Sequence, residues 1–224
     1  MKTIIISLIL WLIGVDIYAQ NFSQQEITDS IFARIEGKSF KENCTTPRED
    51  LRYLKVLHYN KEGEELEGEL ICHKDIADDL LAIFRELHRA KYPIERMVLI
   101  DEFDADDEAS MRANNTSAFN FRRISGTKAL SRHSRGMAID INPLYNPCIR
   151  RRKGKQVVSP DNAAGYTDRN TVAVLYHIIV LDAAAHQPHS GADGVAHSAR
   201  QDTTVEFHGN ASFLLHRSVT TCLF

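Results

Sequence analysis

The chain reads as an α+β domain on three observations: two strand-like stretches joined by a turn, a long amphipathic helix directly after them, and further short apolar strands beyond. These features fit the class without choosing one architecture within it. In chain order, residues 24–36 place Ile27, Ile31, Phe32 and Ile35 at helical spacing, which predicts a short amphipathic helix. Tyr53–Tyr59 and Glu67–Cys72 have strand character, and Asn60-Lys61-Glu62-Gly63 between them is a turn signal. Residues 74–91 predict the main helix, because Ile76, Leu80, Ile83, Phe84 and Leu87 recur on one face and Pro93 stops it. Met97–Asp101 is the apolar run of a buried strand, Met137–Ile141 alternates as a strand does, and 172–185 predicts an apolar helix.

A length of 224 residues suits one globular domain, or one domain with appendages. Hydrophobic residues at 43% and charged residues at 25% exclude a collagen-like, low-complexity or wholly disordered chain. The formal net charge of −3 provides no basic field, so nucleic acid is not an expected partner. Residues 101–108 hold six acids in eight positions. They lack the glycine and the alternate spacing of a calcium loop, and a solvated helix start explains them, since carboxylates favour a helix N-terminus. Arg150-Arg151-Arg152-Lys153-Gly154-Lys155 reads as a basic surface loop, and the sequon Asn115-Thr116-Ser117 as a chance match.

Lys2, an apolar run from Ile4 to Val15 and a small residue, Ala19, before Gln20-Asn21 describe a secretory signal over residues 1–19. The run is short of the roughly 20 apolar residues that a membrane span needs, so no stable span is expected after cleavage. The protein is then exported, to the periplasm or beyond the cell. Cys44, Cys72, Cys148 and Cys222 would meet an oxidising compartment. A disulfide among the first three and free buried thiols are equally open, and with no C-x-x-C a zinc knuckle is not expected.

The stretch that carries chemistry runs from Asn115 to Pro147, centred on Ser131-Arg132-His133-Ser134-Arg135-Gly136-Met137-Ala138-Ile139-Asp140. A histidine seven residues before an aspartate, with a glycine between, lets a loop side chain and a strand side chain converge on one point. An imidazole nitrogen and a carboxylate oxygen together suit zinc at about 2.0–2.2 Å. An ordinary His–Asp hydrogen bond is the plain alternative.

This pattern, S-x-H-x-x-G-x-A-x-D, follows Ser117-Ala118-Phe119-Asn120-Phe121-Arg122 and precedes Ile141-Asn142-Pro143-Leu144-Tyr145-Asn146-Pro147. Together these blocks resemble the zinc D-alanyl-D-alanine carboxypeptidase family of metallopeptidases, whose members include L-alanyl-D-glutamate endopeptidases. The strand at Asp50–Tyr59, the helix–strand unit 74–101 and Tyr166-Thr167-Asp168-Arg169 agree with it, so the resemblance spans about 44–169. It implies a small antiparallel sheet with helices packed on one side, a hedgehog/DD-peptidase-like zinc fold. It implies His133 and Asp140 as zinc ligands and Arg122 as the cation that stabilises the carbonyl oxygen, with Arg123 one register away as the rival. It places Ser131 at the substrate pocket, although a hydroxyl that holds the turn explains that serine equally well.

The family completes its site near the C-terminus with a tryptophan-bearing segment and an acid three residues before a histidine. Here the lone tryptophan is Trp11, and no acid stands three residues before a histidine after position 140. Six of the ten histidines lie in the last 48 residues, and Lys155 is the last lysine. The organisation expected is therefore a signal (1–19), a helical extension (20–43), a peptidase core (44–170) and a divergent or frameshifted tail (171–224). Within that tail Glu206 is the nearest imitation of the general base and His208 of the third zinc ligand, two apart rather than three. The function implied is zinc-dependent hydrolysis of peptidoglycan stem peptides. The alternative is an inactive relative that binds wall peptides through an incomplete zinc site. Oligomeric state is not legible.

Overall fold

The structure is a computed structural model, and it describes residues 21–168 apart from 125 and 153. Its centre is an antiparallel sheet of strands β1 (Ser23–Glu26), β2 (Leu51–Tyr59) and β3 (Glu65–His73), in the spatial order β1-β2-β3. β2 and β3 pair over nine residues, from Leu51 opposite His73 to Tyr59 opposite Glu65. The turn that fixes this register is closed by Asn60, whose side-chain oxygen accepts the Glu64 N–H at 2.8 Å, while Gly63 takes a left-handed φ of 80°.

Period-two alternation then feeds two separate clusters. Leu54, Val56, Leu70 and Cys72 point to one face, where helix α2 (Lys74–Arg89) packs Ala77, Leu80, Leu81 and Phe84 against them. Phe84 is fully buried, and a side chain of that kind contributes about 2–3 kcal/mol. Leu51, Tyr53 and Ile71 point to the other face and meet Ile31 and Ile35 of helix α1 (Asp29–Ile35), with Leu99, Phe119 and Phe121. The α+β mix is thus observed, with one correction: helices cover both faces of the sheet rather than one.

Several elements depart from expectation. The stretch 24–36 is not one helix. Its first residues pair with β2 from Ser23 to Glu26, and α1 starts only after Thr28, whose hydroxyl caps it by accepting the Ile31 N–H. Met97–Asp101 is buried but is not a strand, because its polar groups are met by scattered partners. Met97 C=O takes the Glu69 N–H, and both backbone groups of Val98 bond the Asn115 side chain. Met137–Ile141 likewise reduces to a single bridge, Ser117 opposite Asp140.

The acidic run does start a helix, α3 (Asp107–Arg112), with Glu102, Asp104 and Asp106 exposed to solvent as expected, but others of its acids are committed to partners. Asp101 is buried on the Ser39 N–H and hydroxyl, and Asp106 caps α3 by accepting the Ala109 N–H. Glu108 accepts from the Ser159 hydroxyl and the Asp161 N–H. The basic stretch is a hairpin, β4 (Cys148–Arg152) with β5 (Lys155–Ser159), rather than a loop. Cys148 is disulfide-bonded, whereas Cys44 and Cys72 are free, so no disulfide joins any two of these three. The sequon asparagine, Asn115, is wholly buried and fully hydrogen-bonded, which agrees with a chance match. Residues 1–20, with the signal, and the helix expected at 172–185 lie outside the described residues.

Candidate functional site

The turn that carries His133 is a short 3-10 helix, Arg132–Arg135. Ser131 caps it: the buried hydroxyl accepts the His133 N–H at 3.3 Å. Gly136 ends it with a left-handed φ of 66°, and its carbonyl accepts the His73 N–H at 2.9 Å. A Cβ on Gly136 would stand 2.6 Å from His73 N and 2.9 Å from Cys72 C, so the turn can lie against the end of β3 only because this residue has no side chain. The serine and the glycine of the motif are thereby explained as the two ends of one turn.

One segment, 115–121, ties that turn to the sheet. Phe119 N–H donates to Ile71 C=O, and Asn120 N–H to His133 C=O. Ser117 and Asp140 exchange both backbone hydrogen bonds, at 3.1 and 2.9 Å. The two candidate ligands therefore hang from neighbouring residues of the same spine.

They meet: His133 Nε2 lies 3.2 Å from Asp140 Oδ2. The other ring nitrogen, Nδ1, lies 2.6 Å from Ala118 C=O. A carbonyl only accepts, so Nδ1 carries the proton and donates. In the neutral ring Nε2 is then a bare lone pair facing a carboxylate oxygen. Two electron-rich atoms at that distance are held together by a shared proton or a shared metal cation. A nitrogen and an oxygen each about 2.0–2.2 Å from one tetrahedral ion would be separated by much this distance, and a carbonyl that orients the far ring nitrogen is the usual support of a metal-bound histidine. The pair fits two arms of a zinc site. Among the described residues no third histidine, cysteine or acid completes a metal-holding group.

Arg122 sits on the same turn. Its N–H donates to the Ser134 hydroxyl oxygen at 2.9 Å, and its carbonyl accepts from that hydroxyl at 2.6 Å and from Ser131 N–H at 3.0 Å. Its guanidinium Nη2 pairs with Asp107 Oδ2 at 2.8 Å, and its buried Nε has no partner among the described residues. Arg123 is exposed and donates to Lys128 C=O in the neighbouring loop, whereas Arg122 is the one of the two that pairs with Asp107. Burial pushes the Asp107 carboxyl up. The Arg122 charge pulls the other way, Asp140 adds to the rise and His133 opposes it. Asp107 was missed in sequence; its only signal there was membership of the acidic run, which did not single it out. Ser131 is placed as the cap of the turn, and Glu206 and His208 lie outside the described residues.

The fold and this site define an α+β domain with a turn-borne imidazole–carboxylate pair and a guanidinium held by an acid. Residues 125–187 match the model of a family described as D-alanyl-D-alanine carboxypeptidase, and this match overlaps and supports the resemblance over 115–147. The match covers under a third of the chain. No curated protein and no solved structure matches the chain. No helix among the described residues is long and apolar enough to cross a membrane.

Proposed function

We propose that the chain is an exported zinc-dependent peptidase that hydrolyses peptidoglycan stem peptides, at a D-alanyl-D-alanine or an L-alanyl-D-glutamate bond. The observation that carries this reading is His133 Nε2 facing Asp140 Oδ2 at 3.2 Å, both inside the segment that matches the family. Zinc held there by His133 and Asp140 would polarise the scissile carbonyl and make water nucleophilic at neutral pH. The chain's own contribution is orientation and charge. Ala118 C=O fixes the His133 tautomer, and Arg122 offers its guanidinium to the negative charge that develops on the carbonyl oxygen. Ser131 holds the turn on which these groups stand, at the edge of the substrate pocket. Glu206 as proton acceptor and His208 as third ligand complete the assignment from the tail.

A wall-peptide binder that does not cut is the second reading. It is supported by the sequence after position 140, where no acid stands three residues before a histidine as the family's motif requires. One experiment separates the two. Purified protein is assayed for bound zinc by elemental mass spectrometry and for D-alanine release from a pentapeptide ending in D-Ala-D-Ala. The peptidase reading expects one zinc per chain and cleavage that His133→Ala and Asp140→Ala abolish. Peptide binding without cleavage supports the binder, and neither zinc nor binding sinks both.

A further inference from the structure

The residue that faces Arg122 belongs to another element and has no part in the motif. Asp107 is the first residue of α3, and that helix is fixed at both sides of it. Asp106 caps the helix, Glu108 holds Ser159 and Asp161, and Arg112 pairs with Asp161. An aspartate here is a short arm on an anchored base. Arg122 is the reverse, a long arm whose backbone is fixed by Ser134 and Ser131 while its guanidinium keeps several rotatable bonds.

We propose that Asp107 is the positioning residue of this site, its carboxylate holding the Arg122 guanidinium where it meets the substrate's carbonyl oxygen. This rests on the oxyanion role given to Arg122 above. The 2.8 Å contact to Nη2 is the one ion pair of Arg122 among the described residues, and Nε beside it is buried without a partner. Nothing else there aims the group. The charges also require it. Asp140 and His133 both act on Asp107, so Arg122 stands in the field of the Asp140 carboxylate as well. A guanidinium without its own counter-ion would turn toward Asp140 and compete with His133, and with any metal, for that carboxylate. Asp107 gives the arginine a separate partner and leaves Asp140 free for the histidine side.

The test is a double-mutant cycle on the full chain: Asp107→Asn, Arg122→Lys, both together, and Asp107→Glu. Hydrolysis of the D-Ala-D-Ala pentapeptide is followed as kcat and KM, and zinc affinity by chelator competition. Asp107→Asn is expected to lower kcat by about 10- to 100-fold with KM within about twofold and zinc affinity unchanged. In the Arg122→Lys background the same change costs less than about twofold, and Asp107→Glu restores part of the rate. Equal losses in both backgrounds, or a loss of zinc affinity that accounts for the lost rate, overturn the proposal. If wild type cleaves nothing, the peptidase reading fails on its own, and the Arg122 Nε–Hε signal in a 15N–1H spectrum decides the matter. That signal, assigned through Arg122→Lys, is expected to shift and broaden in Asp107→Asn, and an unmoved signal overturns the positioning role. Should Asp107→Asn not fold, Asp107→Glu with and without Arg122→Lys carries the same cycle.

Discussion

The Ser134 hydroxyl accepts the Arg122 N–H at 2.9 Å and donates to the Arg122 carbonyl at 2.6 Å, so one buried side chain serves both backbone polar groups of the arginine. Ser134→Ala removes both bonds and strands a part-buried N–H; the carbonyl keeps Ser131. A loss of about 2–3 kcal/mol is expected, read as a lower urea midpoint at unchanged slope. A midpoint equal to wild type would show that water replaces the hydroxyl.

Gly136→Ala meets two obstacles at once. Its φ of 66° is strained for any side chain, and the new methyl would fall 2.6 Å from a backbone nitrogen rather than a yielding side chain. The strain alone costs on the order of 1–3 kcal/mol, and displacing the turn from β3 adds to it. The melting temperature is expected to fall by about 5 °C or more, at roughly 2–4 °C per kcal/mol in a chain of this size. A fall of less than 2 °C would mean that the turn reseats without cost.

Acid stability has a named contributor on the α1 side of the sheet. Burial works against ionisation of Glu69, yet Arg34, at 2.8 and 2.5 Å, and Tyr53 O–H, at 2.6 Å, outweigh it and hold the carboxyl below its ordinary range. The folded pKa is lower than the unfolded one. The stabilisation is therefore complete above the ordinary glutamate value of about 4.3 and drains away as pH falls through the folded value. Glu69→Gln is expected to unfold with a shallower dependence on pH below that point. Parallel wild-type and variant curves in urea titrations from pH 6 to pH 3 would contradict it.

Thiol reactivity separates the two free cysteines. Cys72 is fully buried and its thiol is pushed up to about 12 by burial, while Cys44 is partly exposed with a smaller rise of the same cause. Native protein treated with iodoacetamide at pH 8 is expected to be alkylated at Cys44 and spared at Cys72, with both labelled in guanidinium, as peptide mass spectrometry would show. Native labelling of Cys72 would mean that β3 opens locally.

The central hairpin and the main helix were legible because their signals are local. The Asn60–Gly63 turn sets the pairing, and the apolar stripe of 74–91 can make only a helix. Met97–Asp101 was not legible as irregular chain, since an apolar run records burial and says nothing of which groups satisfy its backbone; here the Asn115 side chain does so from 17 residues away. The contact of His133 with Asp140 could be expected from their spacing around Gly136. Asp107 could not, because its meaning lies wholly in a contact with Arg122 across the fold. The solvated reading of the acidic run holds for Glu102, Asp104 and Asp106 and misses Asp101, Asp107 and Glu108 for the same reason.

The segment 115–121 bonds Ile71 of the sheet at Phe119, His133 at Asn120 and Asp140 at Ser117. A site strung in this way shares the opening free energy of the sheet instead of breathing as a separate loop. In deuterium exchange, the amides of Ser117, Phe119, Asn120 and Asp140 are expected to behave as one block with Ile71, slow to label together and released together. On the function proposed, a peptide would meet the described part of the site already in place, with little of its ordering entropy left to surrender on binding.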